Sequence, residues 1–454
     1  MREKIAQQAP LMPAPINHKH ARELQRMSTV LDQLPEVTEL VHSDLVRAGT
    51  KPNRGRKGMS AEQVLRALIV KQMNGWSYEQ LAFHVADSNC YRWFCRLGIG
   101  DVTPDHSTLQ KAIKHVRAET WETINRKLVS FAVEQRIELG RKIRTDCTVV
   151  ESNIHHPTDS SLLFDCVRVM TRLMSDAQDT FTIRFSDHSR RAKRRALGIL
   201  NAKSNSDRMR LYRDLLKVTA KTVSQAERVA EQLDKVVVGD IMTLAQVQSL
   251  ASELRRNVEL TGRVVSQSER RVLRGESVPA TEKIVSIFEP HTDIIVKDRR
   301  EVLYGHKICL TAGASGIVTD VVVEQGNPAD STLAVKMIER HCAQFGGPPR
   351  QASFDGGFAS RDNLEDIKKL GVTDVAFAKK RNLQISEMVK STWVYKRLRN
   401  FRAGIEGVIS FLKRGFDLTR CCWSGWASFK AYVSASVLAC NLLVIARHLL
   451  ARDT

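Results

Sequence analysis

No C-x-x-C pair occurs anywhere in the sequence, which weighs against a structural zinc site, because such sites draw their ligands from closely spaced pairs. The nine cysteines, from Cys90 to Cys440, are scattered and read as reduced thiols of a cytoplasmic protein. The opening MREKIAQQAPLMPAP holds no apolar run, as a secretory signal would require. An unbroken membrane-spanning segment is missing too. The most apolar stretch, Ala431 to Leu450, is interrupted by Ser434, Ser436, Asn441 and Arg447 and reads as a buried core helix. Gly356-Gly357 is followed by no Lys-Ser/Thr pair, so it is no phosphate-cradling loop.

What is present is length and positive charge. A chain of 454 residues exceeds one ordinary core, and two or three domains are expected. Lys and Arg number 70 against 50 Asp and Glu, a formal charge of +20. An excess of that size, spread along the chain, suits a polyanionic partner such as nucleic acid.

Apolar periodicity divides the chain. After an irregular start come helices, then the basic TKPNRGRKGMS, where Ser60 and Gln63 have capping-box spacing. The next helix carries Val64, Leu65, Leu68 and Ile69 on one face. Helices follow at NGWSYEQLAFHVADS, opened by Ser77, at YRWFCRLG, and at TPDHSTLQKAIKHV, where His106 supports a helix start. Short helices with tight, basic turns fit a helix-turn-helix DNA module, and equally a bundle used for dimerisation. RKIRTDCTVV reads as a strand with Ile143, Thr145, Cys147 and Val149 on one side. His155 and His156 follow in a loop. More than a hundred residues of helical spacing come next, rich in charge and poor in aromatics, including RRAKRR at 190–195. That run suits a DNA backbone or a solvated helix face.

Strands return with IVSIFEP, then a hairpin of HKICLTAG and IVTDVVVEQG. A helix from Asp330 or Ser331 stops at Gly346-Gly347. RQASFD is a strand, SRDNLEDIKKLG a helix, TDVAFAK a strand, and helices run from about Leu398 to Lys413 and from Ala427 onward. This order implies a mixed sheet covered by helices, split by a helical insertion of the kind that connections tolerate. Trp423 and Trp426 read as core packing, with a DNA end as the alternative.

Three acids stand where chemistry is plausible. Asp146 lies in the first strand, Asp355 at a strand end before Gly356-Gly357, and Glu406 on a helix. Two-metal phosphoryl transfer needs carboxylates on rigid elements to hold hard divalent ions. With 50 acidic residues in the chain, spacing alone does not select these three. On the Glu406 helix, Arg402, Glu406 and Lys413 share a narrow stripe beside an apolar face of Ile405, Val408, Ile409 and Leu412. That pattern suits a metal-holding carboxylate flanked by phosphate-binding cations, or a plain i, i+4 ion pair.

The stretches RTDCTVVESNIHHPTDSSLL, PPRQASFDGGFASRDNLEDIKKLGVTDVAFAKK and RLRNFRAGIEGVISFLKRGFDLTRCCWSGWASFKAYVSASVLACNLL resemble bacterial insertion-sequence transposases of the DDE class, closest to the ISNCY-type group. MSAEQVLRALIVKQMNGWSYEQLAFHVADS and TPDHSTLQKAI resemble the N-terminal domain of that family, so the likeness covers nearly the whole chain. It implies an α/β fold: a ribonuclease-H-like mixed-sheet catalytic domain over 136–160 and 281–454, interrupted by a helical insertion over 161–280 and preceded by an all-helical DNA-binding or dimerisation domain over 1–135. It implies Asp146, Asp355 and Glu406 as catalytic metal ligands, two Mg²⁺ ions replaceable by Mn²⁺, and Arg402 and Lys413 as DNA-binding residues. The implied reaction is endonucleolytic cleavage at element ends and transfer of the 3′-OH into target DNA. The implied partners are double-stranded DNA, both element ends and target, and further copies of the chain, as a homodimer or higher oligomer on DNA at the bacterial nucleoid, with no membrane. Related enzymes carry a Tyr, Arg, Glu, Lys signature; its Tyr position falls on Arg399 here, with Tyr395 one turn earlier.

Overall fold

The computed structural model describes Lys4 and residues 17–46, 58–98, 100–181, 183–237, 239–297 and 301–453. Most of the basic TKPNRGRKGMS segment lies outside the described residues. The chain forms two units, one of residues 1–152 and 306–454, the other of residues 153–305.

The first unit opens with helices α1 (Lys19–Asp32), α2 (Pro35–Leu45), α3 (Ala61–Asn74), α4 (Tyr78–Asp87), α5 (Asn89–Phe94), α6 (His106–Lys114) and α7 (Ala118–Glu134). Local chemistry fixes their starts. Ser60 and Ser77 each accept from the backbone N–H three residues on, and Gln63 and Gln80 return the bond. The chain leaves α3 through Gly75 at φ 63°, a left-handed turn for which glycine carries no Cβ penalty. Asp105, not His106, caps α6, accepting from the Thr108 N–H. The long α7, which the periodicity reading does not single out, is anchored by the fully buried Trp121. Arg66 is buried among these helices and stays charged through Glu62, Asp32, Ser28 and the Phe94 carbonyl, as a buried guanidinium must.

Strand β1 (Lys142–Ser152) is central to a sheet in the order β4-β3-β1-β5-β6, where β3 is Glu301–Ala312, β4 Val318–Val323, β5 Gln351–Phe354 and β6 Asp374–Phe377; the short β7 (Arg420–Cys421) pairs with the far end of β1. β1, β5 and β6 are parallel, and β3 and β4 form the expected antiparallel hairpin. On β1 the buried phase is Ile143 and Thr145, then Val150 and Ser152. Val149 is therefore not on the buried side, because the inward phase slips by one residue along the strand's second half.

Around the sheet lie α12 (Ala334–Phe345), α13 (Arg361–Lys369), the single turn α14 (Ile385–Met388), α15 (Thr392–Gly415) and α16 (Trp426–Leu450). Gly346 at φ 74° ends α12, and Ser360 caps α13. α15 begins at Thr392, capped by Ser391, six residues before the start that periodicity suggested. Its first turns look polar in sequence because only Val394, Tyr395 and Leu398 reach the core. α16 is long and apolar enough to cross a membrane, yet 72% of its most apolar window is buried inside the protein. It shares one core with α1, α3 and α7. There Asn441 holds both backbone groups of Val318 and the Asn125 side chain. Trp423 packs edge-on to Tyr432, and Trp426 against His306 and Phe429.

The second unit is helical: α8 (Asp159–Phe181), α9 (Ser189–Leu200), α10 (Asn205–Asp234) and α11 (Ile241–Ser268) enclose a separate apolar core. IVSIFEP is not a strand. The Gln267 side-chain amide binds both backbone groups of Ile284, and the Ser286 hydroxyl accepts from the Phe288 and Glu289 N–H groups, so side chains replace a ladder. The strand here is β2 (Asp293–Lys297), paired antiparallel with residues 301–305 of β3. His155 lies 3.4 Å from Asp165, and His156 meets Tyr304 edge-on. The cysteines are free thiols, and burial pushes Cys95, Cys166 and Cys440 up to about 12, which makes them unreactive.

Candidate active site

Parallel pairing brings the first two acids together. Thr145 on β1 is in register with Phe354 on β5, so the next residue of each, Asp146 and Asp355, emerges at the same level. Asp355 leaves the strand at φ −68° and ψ 164° to start a single turn over Gly356–Phe358. A side chain at Gly356 would overlap the Cβ and Cγ of Lys379, so this turn needs a glycine there, while one at Gly357 would push on the Asp330 carboxylate.

Helix α15 brings the third acid, and specific bonds fix it on the sheet. The Arg144 guanidinium donates to the Phe401 carbonyl at 3.1 Å and the Ser353 hydroxyl to the Leu398 carbonyl at 3.0 Å. Lys142 and Arg144 lie over the Phe401 ring. Gly404 clears the space that the Arg144 guanidinium fills. With α15 held this way, Arg402 reaches both aspartates, and Glu406 lies one turn further along the helix.

The centre of the site is Arg402. Its Nη2 stands 2.6 Å from Asp146 Oδ2 and 3.0 Å from Asp355 Oδ1, and its Nη1 stands 3.1 Å from Glu406 Oε1. Three carboxylates from three distant segments thus converge on one guanidinium. Exposure rises across the set, from 14% for the Asp146 side chain through 38% for Asp355 to 68% for Glu406. Burial raises the Asp146 pKa, while Arg402 and the Cys147 N–H, which donates to Oδ1 at 2.8 Å, act the other way. Among the described residues, no group of three acidic, His or Cys side chains is arranged to hold a metal ion as it stands; the guanidinium occupies the point of convergence. Lys413 is half-buried two turns further along α15.

Tyr395 belongs to the core. It is buried, and its hydroxyl donates to the Phe377 carbonyl at 2.9 Å, so it ties α15 to β6 and presents no ring at the site. Arg399 is exposed. Arg144, Ser353 and Gly404 are the positioning residues that sequence reading passed over. The alternation that sets Arg144 and Asp146 on one face of β1 is a signal for Arg144, and nothing comparable marks Ser353 or Gly404. Asp330, read as a helix cap, also lies beside Gly357 and pairs with Lys307 at 2.8 Å.

The sheet thus carries one acid within β1 and another just past the end of the parallel β5, with a third on the covering helix α15. Residues 296–442 match the family model described as Transposase DDE domain, and residues 15–115 match Transposase domain (DUF772). The chain belongs to the DDE transposases, which act as DNA endonucleases and strand transferases. The DDE match contains Asp355, Arg402, Glu406 and Lys413, whereas Asp146 lies outside both matched segments. No curated protein and no solved structure matches the chain.

Proposed function

We propose that this transposase, of the ISNCY-type group, cuts DNA at insertion-sequence ends and transfers the freed 3′-OH into target DNA at a site built by Asp146, Asp355 and Glu406. The observation that carries this reading is the convergence of those three carboxylates on Arg402. The strand order β4-β3-β1-β5-β6 supports a ribonuclease-H-like core. With β2 set aside, the first acid lies on the first strand and the second follows the fourth.

The donor set fits hard divalent ions, since it is all carboxylate oxygen and already gathers around one positive charge. Two Mg²⁺ ions, with Mn²⁺ as substitute, would be held by Asp146, Asp355 and Glu406. When bound, they supply charge stabilisation at the attacking and leaving oxygens of the phosphodiester. The chain's own residues do the rest. β1 and β5 hold the two aspartates on rigid backbone, where a small misplacement would be costly. Burial of Asp146 keeps water from competing for its oxygens. Arg402, released from the carboxylates, presents a planar fork that suits a phosphate, and Lys413 adds a point charge further along α15. Two copies of the chain, or a larger assembly, bring the two element ends together, with α1–α7 serving DNA binding or dimerisation.

The test is a cleavage and joining assay on labelled element-end DNA with Mg²⁺ or Mn²⁺, comparing wild type with Asp146→Ala, Asp355→Ala and Glu406→Ala. Each variant is expected to bind DNA and to lose both reactions. Full activity in any one of them removes that residue from the metal site. Binding without cleavage by the wild type, on confirmed ends, replaces the enzyme reading with a DNA-binding one.

A further inference from the structure

Between positions 184 and 221 the chain holds twelve Lys or Arg against three Asp. This stretch lies within the helical unit and in neither matched segment. Helix α10 gives the charge a shape. At about 100° per residue, Arg210, Arg213, Lys217, Lys221 and Arg228 fall in one stripe roughly 80° wide and about 27 Å long. All five are exposed, while Tyr212, Leu215, Thr219, Thr222 and Ala226 bury the other side of the helix.

The few acids nearby are already used. Asp214, at the edge of the stripe, is bound by both Arg191 and Arg195 of α9, and Asp207 by Arg210. Arg213, Lys217, Lys221 and Arg228 have no ion pair among the described residues, and α9 adds Arg190, Lys193 and Arg194 in the same condition. A face that serves only solvation intersperses both signs, as α11 does with Glu253, Arg255, Arg256, Glu259 and Arg263. Like charges at i, i+3 and i, i+4 repel, and a polyanion is what relieves a row of them.

We propose that the exposed face of α9 and α10 is a sequence-independent binding surface for the phosphate backbone of duplex DNA, in addition to Arg402 and Lys413. A duplex is a straight rod with one negative charge per about 1.7 Å of axis, which matches a straight stripe of cations. The stripe carries no aromatic side chain on which unpaired bases would stack, so the duplex is favoured over single strands. This inference rests on the reading of the chain as a DNA-acting enzyme.

The experiment measures binding of the full chain to a labelled random-sequence duplex by fluorescence anisotropy, in chelator, over a range of salt. The variant Arg213→Ala/Lys217→Ala/Lys221→Ala is compared with wild type and with Lys235→Ala/Arg256→Ala/Arg263→Ala, which removes equal charge from the same unit. The slope of log affinity against log salt is expected to shrink by about 2–3 in the first variant, near 0.9 for each phosphate no longer neutralised, and to hold in the second. An unchanged slope, or an equal fall in both variants, overturns the proposal while the wild-type slope still supports DNA binding. Loss of binding to anionic phospholipid vesicles with an unchanged DNA slope also overturns it. If the wild type binds no duplex at all, the enzyme reading itself falls.

Discussion

The guanidinium of Arg402 and the carboxylate of Asp146, 256 positions apart in the chain, meet at 2.6 Å, and the same guanidinium reaches Asp355 and Glu406. One arginine therefore balances three acids that would otherwise repel one another at close range. Arg402→Ala is expected to lower the stability of the protein in chelator by about 1–2 kcal/mol, a figure discounted from that of a fully buried pair because Asp355 and Glu406 are open to solvent. Adding Mg²⁺ or Mn²⁺ is expected to raise the melting temperature more in this variant than in wild type. Thermal melts with and without the ion check this; equal shifts would show that Arg402 and the ion do not compete for the carboxylates.

Gly404 lets α15 lie close to β1. A Cβ there would overlap the Arg144 guanidinium that binds the Phe401 carbonyl. Gly404→Ala is expected to cost about 1 kcal/mol by breaking that bond and to reduce cleavage further by shifting Glu406. With Arg144→Ala already in place, adding Gly404→Ala is expected to cost little more, because the overlapping group is gone. A double-mutant cycle by urea denaturation measures this coupling; simple additivity would refute the contact.

Tyr395 tests the departure from the signature. Since its hydroxyl is spent on the Phe377 carbonyl, Tyr395→Phe is expected to lower stability by about 1 kcal/mol and to leave DNA affinity unchanged. A fall in affinity without a fall in stability would make it a DNA contact.

His341 is held neutral by burial, its pKa pushed down to about 4, where it stacks on Phe345 at 4.3 Å. The unfolded chain takes up a proton near 6.5 and the folded chain only near 4. The stability tied to this residue is therefore complete above about pH 6.5 and is lost as pH falls toward 4, by about 3 kcal/mol in all. His341→Leu is expected to flatten stability over that window, as read from urea midpoints at about pH 7 and about pH 5.

Much of this architecture is local in origin and was legible in the chain. Ser60 and Ser77 mark helix starts and Gly346 marks a helix end, because caps and left-handed turns depend on residues a few positions apart. The interruptions in α16 likewise pointed to a core helix, where Asn441 bonds Val318 and Asn125. IVSIFEP misled because an apolar run satisfies a strand and an irregular buried segment equally well. Which one forms depends on whether backbone partners come from a neighbouring strand or, as here, from Gln267 and Ser286.

By itself the sequence determined the class of element at each acid, and the resemblance implied that Asp146, Asp355 and Glu406 act together. Only the tertiary structure decided that all three reach Arg402. The register of β1 with β5 sets two of them side by side, and the bonds from Arg144 and Ser353 to the backbone of α15 turn the third toward them. Sequence spacing carries no information about such contacts, because they join segments far apart along the chain whose proximity is fixed by packing alone.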